Sequence, residues 1–182
     1  MDDSFDSSLE FTLAEEGGFI DHPTDPRFAA NHGITLARLR RFLRDPGLGR
    51  DDVRHMPCAT VRAMYLTDFW NRLRCDALPP GIDLMAFDHA VNAGPDRAGS
   101  ALQLAAGYER ADLDGAVGPD TLRHVALTDT LTLLDALAAM QRASYRQMAA
   151  YGLFGEGWLA RLDRRRGKAL ELMAMKEIVS RR

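Results

Sequence analysis

Two adjacent acids, Glu15 and Glu16, run into Gly17 and Gly18, and a third acid, Asp25, follows in a short polar loop within AEEGGFIDHPTDPRFAANHGIT. Carboxyl groups grouped in this way are tools of general acid and base chemistry. Cleavage of a glycosidic bond is the clearest case, where a protonated acid delivers its proton to the leaving oxygen. Leu9, Thr12, Leu13 and Glu16 recur at helical spacing. Glu16 therefore falls on or beside the buried face of a first helix, which Gly17 ends in a left-handed conformation. A carboxyl in the last helical turn, tilted toward apolar neighbours and facing the negative end of the helix dipole, is favoured in its protonated form. Glu15, one position earlier, is turned about 100° around the helix and is expected to face solvent. Gly17 and Gly18 lack side chains and would let an extended polymer approach Glu16. The same pattern is also an ordinary helix ending, and on these residues alone both readings stand.

The elements that must position these groups are helices. Apolar residues recur at three and four through Leu36, Leu39 and Leu43, then Val61, Met64, Tyr65 and Phe69, then Leu84, Phe87 and Val91. A further series runs through Leu131, Leu134, Leu137, Met140, Tyr145 and Met148. Thr35, Thr60, Asp83 and the pair Pro119-Asp120 read as helix starts. Breakers fall at Pro46-Gly47, Pro79-Pro80-Gly81, Gly94-Pro95, Gly107 and Gly152 to Gly157. With no alternating strand pattern of length, the expectation is an all-α chain of about seven helical pieces in two closely packed lobes. These lobes would be residues 1–94 and 95–182, parting softly at Gly94-Pro95.

Composition narrows the function classes. A chain of 182 residues, 46% hydrophobic and 27% charged, can bury a sizeable core. Its net charge is -3, and Arg161, Arg164, Arg165 and Arg166 form its one dense basic cluster, so nucleic acid is not an expected partner. Cys58 and Cys75 form no CxxC pair and histidines do not cluster, so no metal site, disulfide framework or cofactor is expected. The start, MDDSFDSSLEF, lacks the pattern of a signal peptide, and no apolar run approaches the ~20 residues that span a bilayer. The expectation is a protein made in the cytoplasm, without stable membrane insertion, that something else must release if it acts outside the inner membrane.

Beyond these readings, Glu16-Gly17-Gly18-Phe19, Pro23-Thr24-Asp25-Pro26 and Gly33-Ile34-Thr35 resemble in order the E-G-G-Y, P-x-D-P and G-I-T blocks of the glycoside hydrolase family 108 muramidases, including the secretion-activator type. The block from Phe69-Trp70 to Leu78-Pro79 and the Phe87-Asp88-His89-Ala90-Val91-Asn92-Ala93-Gly94 stretch continue the likeness. Leu102-Gln103, Asp114 to Leu122 and Gly157-Trp158-Leu159-Ala160-Arg161 resemble the predicted peptidoglycan-binding segment that follows in such proteins.

The resemblance implies a lysozyme-like, all-helical enzyme that hydrolyses the β-1,4 bond between N-acetylmuramic acid and N-acetylglucosamine, acting on peptidoglycan glycan strands. It implies Glu16 as general acid and Asp25 as candidate second carboxylate, Asp25 serving equally well as a loop brace. Gly17, Gly18, Asn31, Thr35 and Asn92 are the candidate substrate-binding residues. A lytic transglycosylase and a non-catalytic wall-binding or assembly protein are the alternatives. The setting is an endolysin, a gene-transfer particle's lysis enzyme or a secretion helper, with a holin-like pore as a route of release into the periplasm. The chain departs from the family where Arg27-Phe28-Ala29-Ala30 replaces Gly-Gly-Ala-Thr, leaving Asn31 and His32 as the nearest polar groups. His32 reads as a surface loop residue, Asp88 as structural, and Trp70 and Trp158 as core. Asp114 to Thr121 reads as a wall-binding loop or as a turn before a Pro-initiated helix.

Overall fold

The computed structural model describes residues 2–21 and 29–180. The chain is all-α, apart from one very short hairpin among the described residues. In order it forms α1 (Asp2–Glu16), β1 (Ala30–Asn31), β2 (Ile34–Thr35), α2 (Leu36–Leu43), α3 (Arg50–Arg54) and α4 (Cys58–Tyr65). Then follow α5 (Ile82–Ala93), α6 (Pro95–Ala105), α7 (Pro119–Leu127), α8 (Thr130–Arg146) and α9 (Tyr151–Ser180). A π-helical turn, Leu66–Trp70, extends α4.

Helix starts divide between those foreseen and those moved. Thr35 caps α2, its Oγ1 accepting from the Arg38 amide, and Pro119 opens α7. Thr60 and Asp83 instead lie inside first turns, because α4 and α5 begin earlier, at Cys58 and Ile82. The glycine-rich stretch Gly152 to Gly157 does not break the chain and lies within α9. A Cβ on Gly155 would stand 2.5 Å from the Tyr151 ring, so a residue without a side chain is needed for that ring to lie over the helix.

Contacts group Leu9–Asp68 in one compact unit and Met1–Ser8 with Phe69–Arg182 in the other. The expected lobe boundary at Gly94-Pro95 is not where the units part, since α5 and α6 pack together in the same unit. The larger unit is built around α5, in which every residue from Ile82 to Ala90 is buried. A helix buried all round belongs at the centre, and α6, α8 and α9 cover it. Phe5, Trp70 and Phe87 pack edge to face against one another at centroid distances of 5.1, 5.9 and 5.4 Å. Trp70 is core, and its Nε1 donates to Asp76 at 2.9 Å.

The smaller unit has its own core. Ile34, Leu36, Leu39, Val53, Val61, Met64 and Tyr65 are all buried there. Arg38 grips Asp68 through Nε at 3.1 Å and Nη2 at 2.8 Å, tying α2 to the π turn. Three apolar positions of the helical series, Leu43, Leu131 and Met148, are nevertheless exposed at or just past the ends of their helices.

Candidate active site

Glu16 is the last residue of α1, and Gly17 leaves the helix at φ +74°, the left-handed stop its sequence promised. Among the described residues, a Cβ on either Gly17 or Gly18 would meet nothing within 4 Å, so the backbone beside the carboxylate is clear of them. Past Phe19 the chain turns back antiparallel to β1. Ile20 and Ala30 exchange backbone hydrogen bonds at 2.7 and 2.9 Å. Asp25, Arg27 and Phe28 lie outside the described residues.

The hairpin itself was not legible as strands. β1 and β2 pair antiparallel with Asn31 opposite Ile34, and only His32 and Gly33 connect them. Both connecting residues are left-handed, at φ +49° and +69°, the pattern of a type I′ turn. Gly33 presses on the acid: a Cβ there would stand 2.6 Å from Glu16 Oε2, 3.3 Å from Glu16 Cδ and 3.3 Å from the Tyr65 hydroxyl. Tyr65, 1% exposed on α4, donates its hydroxyl to the His32 carbonyl at 2.6 Å. The Glu16 carboxyl thus has one oxygen against the turn, and its Oε1 is buried. Gly33 and Tyr65 stand against the Glu16 carboxyl and the turn, and the sequence reading did not count either among its candidate site residues. The two-residue strands are too short to alternate, although a Gly at the second place of a two-residue connection is the available signal.

Other candidates take different roles. Asn31 is buried and its Nδ2 donates to the carbonyls of Val53 and Arg54, both at 3.1 Å. It closes the C-terminal end of α3, so the expected sugar contact gives way to a structural one. Thr35 is exposed and serves α2 as its cap. His32 is half-buried rather than on the surface, and its Nδ1 is buried without a hydrogen-bond partner among the described residues. Glu15 is half-buried like Glu16, not turned to solvent.

Asn92 belongs to the larger unit, exposed on α5, with Nδ2 donating to the Asp88 carbonyl at 3.1 Å. Asp88 is structural: fully buried, it accepts from Arg161 at 2.6 and 3.2 Å and from Arg165 at 2.7 Å. Arg161 and Arg165 of the basic cluster therefore turn inward, while Arg166 pairs at the surface with the exposed Asp135 at 2.6 Å. Trp158 is half-buried, not core, against Tyr145 and Phe154. The Asp114 to Thr121 segment is a turn locked onto α6 by Gln103, which donates to Asp114 and the Ala116 carbonyl and accepts from the Gly115 amide. Among the described residues no group of three or more His, Cys, Asp and Glu could hold a metal ion, and no helix is long and apolar enough to cross a membrane.

A carboxyl at a helix end, backed by a tight β-turn and bordered by open backbone, is an arrangement that general acid chemistry can use, and the comparisons with known proteins give the class of enzyme. The model of glycosyl hydrolase 108 matches residues 9–94, a span that includes Glu16, the hairpin and α5. A structure of SagA from Brucella abortus is similar over 95% of this chain and 97% of that one, at 31% sequence identity and a TM-score of 0.83. A comparison with the curated proteins finds no match. The chain belongs to the glycosyl hydrolase 108 family and is a glycoside hydrolase, with peptidoglycan as the substrate that the family implies.

Proposed function

We propose that the protein is an N-acetylmuramidase, with Glu16 as the general acid that protonates the oxygen of the β-1,4 bond between N-acetylmuramic acid and N-acetylglucosamine. The observation that carries this reading is the closeness of the Gly33 backbone to the Glu16 carboxyl, where even a Cβ would stand 2.6 Å from Oε2, so the turn limits where the carboxyl can go. A held carboxyl loses little freedom on reaching the transition state, and positioning is a large part of enzymatic acceleration. The open backbone of Gly17 and Gly18 leaves a glycan strand room to lie beside it. As the bond breaks, the proton moves to the leaving oxygen, and positive charge develops on the muramic ring. Asp25 is proposed as the second carboxylate, acting either on the attacking water or directly on the sugar carbon. Wall binding by the helices beyond Gly94 is part of the same proposal. So are synthesis in the cytoplasm, release through a holin-like pore and action in the periplasm or wall, for lysis or wall passage.

The test is digestion of purified sacculi by the wild type and by Glu16→Gln, with product masses. Wild type should release muropeptides with reducing muramic ends carrying solvent oxygen. Glu16→Gln should be slower by about a thousandfold, the loss typical of a deleted general acid. Equal release by both would remove Glu16 from the chemistry, and 1,6-anhydro ends would make the enzyme a lytic transglycosylase.

A further inference from the structure

The larger unit holds a cleft of about 580 Å³ where α5, α6, α8 and α9 converge. His89 and Gln141 line it, and both are buried, at 5% and 1% exposure. His89 Nδ1 and Gln141 Nε2 have no hydrogen-bond partner among the described residues, nor does Nε of the fully buried Arg165, whose Nη2 donates to Gln141 Oε1. Gln141 Nε2 is a donor only and belongs to a residue of the cleft wall, whereas Arg165 stands behind Gln141 and does not line the cleft. Burial pushes His89 down to about 3, helped by the charges of Arg165 and Arg97, so its ring is neutral. Buried donors without acceptors are costly, and a packed core removes them unless something brings the missing oxygens.

The walls say what form those oxygens take. Arg97 lines the mouth, exposed, and Arg161 lines it with its side chain 13% exposed. Arg97 presents a guanidinium suited to a carboxylate, whereas that of Arg161 is already held by Asp88 at 2.6 and 3.2 Å. The half-buried Trp158, its ring 5.7 Å from that of Tyr145, offers an aromatic surface for the rest of a ligand. We propose that this cleft is a second ligand site, which takes a carboxylate-bearing molecule with its acid at the Gln141 floor and the Arg97 rim and its body against Trp158. A free small acid and the peptide acid of a muramyl peptide share that chemistry. Choosing the latter rests on the peptidoglycan reading above, whereas the carboxylate site itself does not.

Trp158 is one of two tryptophans, and the other, Trp70, is buried in the core, so Trp158 fluorescence reports the cleft. The intact protein is titrated with N-acetylmuramyl-L-alanyl-D-isoglutamine, with its γ-amide counterpart and with acetate. The muramyl compounds have no glycosidic bond to cleave, so the outcome is independent of Glu16. A saturable change with the acid, weakened about tenfold or more for the amide and for Arg97→Glu, is the expected result, tenfold being the loss of one charge-assisted contact. If acetate competes at similar concentration, the carboxylate site holds and its ligand is a small acid. No saturable change with either acid, equal binding of acid and amide, or undiminished binding by an Arg97→Glu protein of unchanged melting midpoint would overturn the proposal.

Discussion

Gly33 is the residue on which the site's geometry turns. Its φ of +69° costs an L-residue roughly 1–2 kcal/mol, and a Cβ would stand 2.6 Å from Glu16 Oε2. In Gly33→Ala the carboxyl must move, and a displacement of about 1 Å at a reacting group lowers turnover by about a hundredfold. The expected result is that loss in muropeptide release, with a melt only slightly lowered. Tyr65→Phe tests the same turn from behind. It deletes the hydroxyl that holds the His32 carbonyl, costs about 1 kcal/mol, and should reduce activity less than Gly33→Ala does. At this scale the sequence carried the placement of Glu16 at a helix end, because a helix end followed by glycines is a local pattern. It did not carry Asn31, whose partners Val53 and Arg54 are more than twenty residues away, so an exposed polar loop and a buried helix stop look alike in the sequence.

Elements add constraints that single residues lack. The turn before α7 lies so close to α6 that a Cβ on Gly99 would stand 1.9 Å from the Gly115 carbonyl oxygen, and one on Gly115 2.5 Å from that of Asp96. Gly99→Ala should therefore lose about 2 kcal/mol, or roughly 4–8 °C of melting midpoint, through overpacking against backbone. The turn is also tied to pH. Hydrogen bonds from Gln103 and then from the Ala116 amide hold Asp114 below its ordinary carboxylate value of 3.8. Its contribution to stability is present above 3.8 and is lost as pH falls through the lowered value, and Asp114→Asn should remove that step from acid melts. The helices themselves were legible from apolar spacing and from Pro119. The sequence offered a turn before a Pro-initiated helix beside a wall-binding loop but not the lock itself, because the glycine on α6 that admits it is an ordinary mid-helix residue until its neighbour is known. The hairpin escaped for a different reason, since strands of two residues carry no period.

Across the whole molecule, stability in acid is set by buried groups whose effects oppose one another. His89 is neutral in the fold down to about 3, because burial and then Arg165 disfavour its charge, whereas its ordinary value is 6.5. As pH falls below 6.5 the unfolded chain binds a proton that the native chain refuses, so stability declines toward pH 3 by up to about 1.4 kcal/mol per pH unit. Asp83 acts the other way. Burial lifts it above 3.8 although Ser4 and the amides of Leu84 and Gly81 hydrogen-bond to it, so the native chain takes up that proton first and gains stability as pH falls toward 3.8. The Asp83 effect can only soften the His89 decline over the lower part of the window, because His89 begins to count at 6.5. Thermal melts from pH 6.5 down to 3.8 should fall steadily in the wild type, fall least in His89→Gln and fall most steeply in Asp83→Asn. Asp88→Asn is the control that separates titration from packing. It strips the buried partner from Arg161 and Arg165 and should cost about 3–5 kcal/mol at every pH in that range, because two guanidiniums then lose their carboxylate whatever the histidine does. A wild-type midpoint flat across the window, or a decline left intact in His89→Gln, would show that the native fold opens His89 to protons and that its burial is not what limits the molecule in acid.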